Sequence, residues 1–119
     1  MKYQLQNRTK KFAIDIINIS KLLPNKSIGW ILTNQIIRSA TSVGANYRAV
    51  CRAKSDKDFI SKMQTVIEEA DETLFWLEII VELKIIDDNN ELSRLLKEAD
   101  ELVAIFVSSV KTVKKRINK

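Results

Sequence analysis

Glu68 and Glu72 are four residues apart in the stretch VIEEADETLFWLEIIVELK, and so are Glu78 and Glu82. Carboxylates alone can hold Mg²⁺ or Mn²⁺, because these hard cations take oxygen ligands. A helical reading argues against that use. At about 100° per residue, Glu68, Asp71, Glu72, Glu78 and Glu82 all lie about 80° or more from the centre of the neighbouring apolar stripe. A solvated or intersubunit acidic face is the expected role, and no metal or cofactor is expected. The chain has one cysteine, Cys51, and no histidine. Imidazole acid–base catalysis, Cys-His pairs, histidine metal sites and the Glu-x-x-His pattern of di-iron bundles are therefore excluded. Cys51 stands next to Arg52, but no partner base accompanies it, so it reads as an ordinary thiol. CxxC and glycine-rich phosphate motifs are absent. No catalytic constellation is expected, and the chain reads as non-enzymatic.

The basic residues carry the other chemistry. RSATSVGANYRAVCRAKSDKDF, from Arg38 to Phe59, holds five Arg or Lys and two acids, both near its end. The net charge is +5, unevenly spread. Residues 1–28 hold six bases and one acid, 29–55 four bases and no acid, 56–86 three bases and eight acids, and 87–119 seven bases and six acids. A basic surface attracts nucleic acid. A basic segment opposite an acidic one can equally be satisfied by another part of the protein or by a second copy. The phosphate-contact candidates are Arg48, Arg52, Lys54 and Lys57, with Lys10, Lys11 and Arg38 nearby in type, and the tail cluster Lys111, Lys114, Lys115 and Arg116. No helix-turn-helix, zinc-finger or RRM signature selects a recognition mode.

These side chains must be positioned by helices. Two glycines and one proline in 119 residues argue against a turn-rich β fold. The first helix is expected from about Lys10 to Leu23, with Phe12, Ile16, Ile19 and Leu23 on one face and Pro24 stopping it. The second runs from about Ile28 to Cys51 on a stripe of Leu32, Ile36, Ala40, Val43, Tyr47 and Val50. Gly44 lies beside that stripe, and close helix packing is one reason to accept its cost of about 1 kcal/mol against Ala. The third begins at a Ser55 cap with Asp58 three residues on, and lasts to about Ile85. Its stripe is Phe59, Met63, Val66, Ala70, Thr73, Leu77 and Ile80. After the segment Asp87 to Asn90, a fourth helix carries Leu92, Leu95, Leu96, Ala99, Leu102, Val103, Phe106, Val110, Val113 and Ile117. Short connections make consecutive helices antiparallel neighbours. The expectation is a single all-α domain over 1–119, an up-down-up-down four-helix bundle, with a basic end at 111–119 whose last residues fray. No internal repeat or low-complexity segment interrupts it. One thiol without a partner, and an N-terminus without an apolar signal segment, suggest a cytoplasmic protein. No apolar run is long enough to span a membrane.

The outward faces suggest partners. Phe75 and Ile79 fall opposite the core stripe of the third helix, with Trp76 and Leu83 on the adjoining side. A bundle needs one apolar face per helix, so a second set suggests a contact surface, most simply with another copy. Arg38, Ala45, Ala49 and Arg52 lie behind the core stripe of the second helix, with Arg48 beside them. Small residues admit a neighbouring helix, and Arg bridges to carboxylates such as Glu68 and Glu72 or to phosphates. Two such complementary faces can join head to tail and close into a ring.

NQIIRSATSVGANYRAVCRAKSDKDFISKM followed by VIEEADETLFWLEIIVELKII resembles the family of proteins encoded in 23S rRNA intervening sequences. That family is related to the accessory variability determinant of diversity-generating retroelements. The resemblance spans about Phe12 to Phe106. A Q-x-x-R-[SA]-A-x-S-[IV]-x-x-N run matches at Gln35, Arg38, Ser39, Ala40, Ser42, Val43 and Asn46. S-x-x-[DE]-F matches at Ser55, Asp58 and Phe59, and E-x-x-E-T-x-x-x-L at Glu69, Glu72, Thr73 and Leu77. Where many members carry A-E-G soon after the Asn, this chain reads Arg48-Ala49-Val50. The resemblance implies an up-down bundle, a homo-oligomeric and specifically pentameric ring, and no enzymatic activity. It also implies, from the retroelement relatives, a basic bundle that binds nucleic acid and assists a reverse transcriptase. The functional expectation is a basic oligomeric adaptor associated with RNA or DNA, and with a protein partner. The alternative is a structural protein-interaction module without direct nucleic-acid binding.

Overall fold

The computed structural model describes residues 2–87 and 90–118. It contains four helices: α1 (Lys2–Ser20), α2 (Ser27–Val50), α3 (Asp56–Leu83) and α4 (Asn90–Ile117). Each packs antiparallel on the next, and α1 closes the bundle against α4 less extensively. The result is a rod of 51 × 21 × 19 Å. Its length follows from helices of up to 28 residues at about 1.5 Å rise per residue.

The core comprises the expected stripes meeting along the axis. Ile16, Ile36, Val43, Val66, Leu77, Leu95, Leu102 and Phe106 are wholly buried, and Tyr47 stacks on Phe106 at 5.8 Å between ring centroids. Phe59, Leu96 and Val103 are half-buried at its margin, and Ile117 is exposed. Two hydroxyls sit inside: Thr73 of α3 donates to Ser39 Oγ of α2 at 2.9 Å. Among the described residues, every buried side-chain polar atom has a hydrogen-bond partner.

The helix boundaries depart from the sequence expectation at three places, each for a local reason. Helix α1 begins at Lys2 rather than Lys10 because Leu5 and Thr9 continue the stripe of Phe12 and Ile16, both buried. Thr9 is polar but satisfies its hydroxyl on the Leu5 carbonyl at 2.8 Å. The same helix stops at Ser20, and tight turn bonds from Lys21 to Leu23 lead into Pro24. Helix α3 ends at Leu83 because Lys84 turns left-handed, φ 53°, with its N–H on the Val81 carbonyl; buried Ile86 then anchors the chain. Asp88 and Asn89 of the expected connection lie outside the described residues. The start of α3 is as expected: Ser55 Oγ accepts from the Asp58 N–H at 3.0 Å, and the Asp58 carboxylate accepts from the Lys54 N–H. The basic end continues as helix through Ile117, held by buried Val113.

Candidate nucleic-acid interface

The bundle separates charge by layer. Residues 1–55, which form α1 and α2, hold ten bases and one acid; residues 56–119 hold ten bases and fourteen acids. Ion pairs between helices consume part of this. Arg8 on α1 forks onto Glu98, with two bonds of 2.7 Å, and reaches Glu101 on α4. Arg94 on α4 returns the favour to Asp15 at 2.7 Å, and Asp15 also takes Lys11. Burial pushes the Asp15 carboxyl up, but the hydrogen bonds from Lys11 and Arg94 outweigh it and hold it below the ordinary value. Arg38 on α2 bridges to Glu69 and Glu72 on α3, and Arg116 on α4 to Asp56 on α3 at 2.9 Å.

The remaining cations are the informative ones. Lys10, Arg48, Arg52, Lys54, Lys57, Lys111, Lys114 and Lys115 are exposed and make no ion pair among the described residues. Three of them meet on one face. A groove of about 440 Å³ between α1 and α2 is lined by Gln6, Lys10, Ala13, Thr41, Gly44, Ala45, Arg48 and Arg52. Its floor is open because Ala13, Gly44 and Ala45 are small. At Gly44 a Cβ would sit 3.5 Å from the Thr9 carbonyl oxygen, an ordinary contact, so the helices are close here without requiring glycine. The guanidinium forks of Arg48 and Arg52 suit phosphate oxygens, which they can engage in pairs. Lys54 lies apart from the groove at the α2–α3 end of the rod, where a second depression of about 430 Å³ also takes in Lys2, Tyr47, Cys51, Asp56 and Arg116. There burial, and then Cys51, raise the Tyr47 phenol to about 12. Arg116 is held by Asp56, unlike the other tail candidates.

The candidate contact surfaces divide. Ala45 and Glu68 are exposed and Ala49 is half-buried. Arg38 and Glu72 face each other within the chain, and Glu72 also accepts from Trp76 Nε1 at 3.0 Å. Trp76 and Ile79 pack partly against the core, which leaves Phe75, edge-on to Trp76 at 5.1 Å, Val81 and Leu83 as the exposed large apolar side chains of α3. Sequence reasoning missed a second exposed set at the α1–α2 elbow: Leu22, Ile28, Trp30 and Ile31. A helical-wheel count of α2 places Trp30 on the Arg48 face, so the signal was present in the spacing. The paired glutamates do not gather: among the described residues, no group of three or more His, Cys, Asp or Glu is placed to hold a metal. No described helix is long and apolar enough to cross a membrane.

The model of the 23S rRNA-intervening sequence protein family matches residues 1–108. The chain belongs to this family. A similar solved structure is that of a protein of unknown function from the S23 ribosomal protein family of Bacteroides thetaiotaomicron VPI-5482. It is 32% identical, with a TM-score of 0.80 over 89% of this chain and 97% of that one. No curated protein matches the chain. As a 23S rRNA-intervening sequence protein, the chain keeps the family's helical frame and gathers three of its unpaired cations, Lys10, Arg48 and Arg52, in the α1–α2 groove.

Proposed function

We propose that this 23S rRNA-intervening sequence protein is a non-enzymatic, cytoplasmic, basic adaptor that associates with RNA or DNA through its α1–α2 face. The observation that carries the reading is the groove of Lys10, Arg48 and Arg52: three exposed cations, none in an ion pair among the described residues, in a layer with one acid. Ion pairs elsewhere in the protein satisfy Arg8, Arg38, Arg94 and Arg116, so the groove's cations are available to phosphates. Self-association into a ring, pentameric as the family resemblance implies, would repeat this modest patch and add avidity. A protein partner such as a reverse transcriptase belongs to the same reading. Binding to structured RNA, single-stranded RNA and duplex DNA should be measurable at low salt. R48A/R52A should weaken it at least tenfold while leaving the sedimentation coefficient unchanged. An assembly of normal size that binds none of these probes at low salt refutes the reading.

A second reading has its own observation. Phe75 and Leu83, each about half exposed (50% and 55%), sit on α3 near exposed Glu68 and Glu78. This face could dock a neighbour's α1–α2 groove, with carboxylates on Arg48 and Arg52 and small Ala45 admitting the helix. The protein would then be an interaction module whose basic groove is occupied by protein. F75A/L83A separates the readings: it should reduce assembly with helicity intact if that contact exists. Under this rival reading, R48A/R52A would dissolve the assembly too.

A further inference from the structure

We infer that the α1–α2 face is a track for single-stranded nucleic acid, with phosphates seated on Lys10, Arg48 and Arg52 and a base stacked on the exposed indole ring of Trp30. The inference rests on the nucleic-acid reading above and names the form of nucleic acid bound. Trp30 and Arg48 are eighteen residues apart on α2, about five turns, so they project from the same side of the helix about 27 Å apart. Asn34, Ile37, Thr41 and Ala45 fall on the same side between them, with Ile37 half-buried against the core. The face thus has cations at one end and an aromatic ring at the other, and its exposed residues in between are small or polar.

Trp30 is prepared for a stacking role. It is 57% exposed, yet its one polar atom is already satisfied: Nε1 donates to Asn25 Oδ1 at 2.9 Å. That bond holds the indole in place and leaves its ring surface free. No acid occurs between Asp15 and Asp56, so nothing on the elbow or on α2 repels a phosphate chain. Lys21 and Lys26 precede the ring in the sequence and add attraction there. A protein helix would have to offer carboxylates to Arg48 and Arg52 and apolar side chains to Trp30 about 27 Å away. A single strand supplies both chemistries along one molecule, in the manner of grooves that combine cations with aromatic platforms and hold about 4–16 nucleotides. A duplex cannot present an unstacked base to the ring, so it uses only the cations.

Four variants test this. W76F leaves Trp30 as the reporter, because the chain has two tryptophans; W30F leaves Trp76. The probes are labelled U12 and dT12 single strands and a 12-base-pair duplex, read by anisotropy and by tryptophan emission. U12 or dT12 should quench W76F and not W30F, and the two strands identify RNA or DNA as the better ligand. W30A should weaken the preferred single strand about fivefold to 150-fold, the range a stacked base supplies, with duplex affinity within twofold and W30F restoring most of the loss. R48A/R52A should weaken every probe. Should W30A bind single strands like the parent while R48A/R52A still fails, the stacking site is wrong and the phosphate interface stands. Equal losses from W30A on strand and duplex also overturn it. A W30A protein with a smaller sedimentation coefficient but unchanged strand affinity assigns the ring to a subunit contact. No binding by any probe at low salt defeats both this inference and the reading beneath it.

Discussion

Gly29→Ala and Gly44→Ala are the same chemical edit on the same helix, and the structure gives them opposite signs. Neither glycine has a positive φ, so the difference is steric. A Cβ at Gly29 would lie 1.7 Å from the Pro24 carbonyl oxygen and 2.7 Å from its carbon. Both are backbone atoms, so relief means moving the α1–α2 elbow by more than about an ångström. That movement pulls on buried Leu23 and on the Trp30 N–H bond to the Lys26 carbonyl at 2.9 Å. Overpacking of this kind costs about 1–3 kcal/mol, and helix propensity returns at most about 1 kcal/mol. Because the clash is with backbone, the upper overpacking cost applies, and the net loss of about 2 kcal/mol corresponds to roughly 5–10 °C in Tm for a domain of this size. At Gly44 the nearest atom is 3.5 Å away, so Ala gains propensity and lowers unfolded-chain entropy, up to about 1 kcal/mol. Thermal and urea unfolding followed by circular dichroism read both. Gly29→Ala as stable as the parent, or Gly44→Ala more destabilising than Gly29→Ala, would refute the reasoning about helix approach.

Two further predictions concern titration. Asp15 is held ionised against the push of burial by Lys11 and Arg94. With its folded pKa lowered, its stabilisation is present above the ordinary carboxylate value and disappears as pH falls through the lowered one. Asp15→Asn should therefore cost about 1–2 kcal/mol at neutral pH and progressively less as pH falls below the ordinary carboxylate value, by urea midpoints across that range; a cost that does not fall with pH would contradict the ion-pair account. Tyr47, raised to about 12 first by burial and then by Cys51, favours the neutral phenol in the fold, so its contribution is full below about pH 10 and fades toward 12. In a Tyr3→Phe protein, Tyr47 is the sole tyrosine, and its phenolate absorbance should rise well above pH 10; a midpoint at 10 with the fold intact would show the ring to be open to water.

Much of the bundle is legible in the sequence because apolar side chains recur at helical spacing and breakers are scarce. Ile16, Ile36, Leu77 and Leu102 are where the stripes put them. What was missed follows from polar residues doing apolar work. Thr9 returns its hydroxyl to the Leu5 carbonyl and lies wholly buried, so α1 starts earlier than a purely apolar stripe suggests. A straight wheel puts Ile79 opposite the core stripe and Trp76 on the adjoining side, but large side chains lean, and both pack partly against the core. Ion pairing was not legible: a wheel shows that Arg38 and Glu72 are exposed, not that they meet across α2 and α3. Nor could spacing show Gly29 beneath the Pro24 carbonyl, a contact made by the path of the elbow.

The salt dependence of single-strand binding tests the central claim most directly. Each phosphate neutralised on a single strand contributes a slope of about −0.7 in log K against log salt. If Lys10, Arg48 and Arg52 each seat a phosphate, the slope is about −2 per protomer engaged, and R48A/R52A should reduce it to about −0.7. A parent slope near zero, or a slope that R48A/R52A leaves unchanged, would contradict the assignment of the α1–α2 face as the nucleic-acid interface.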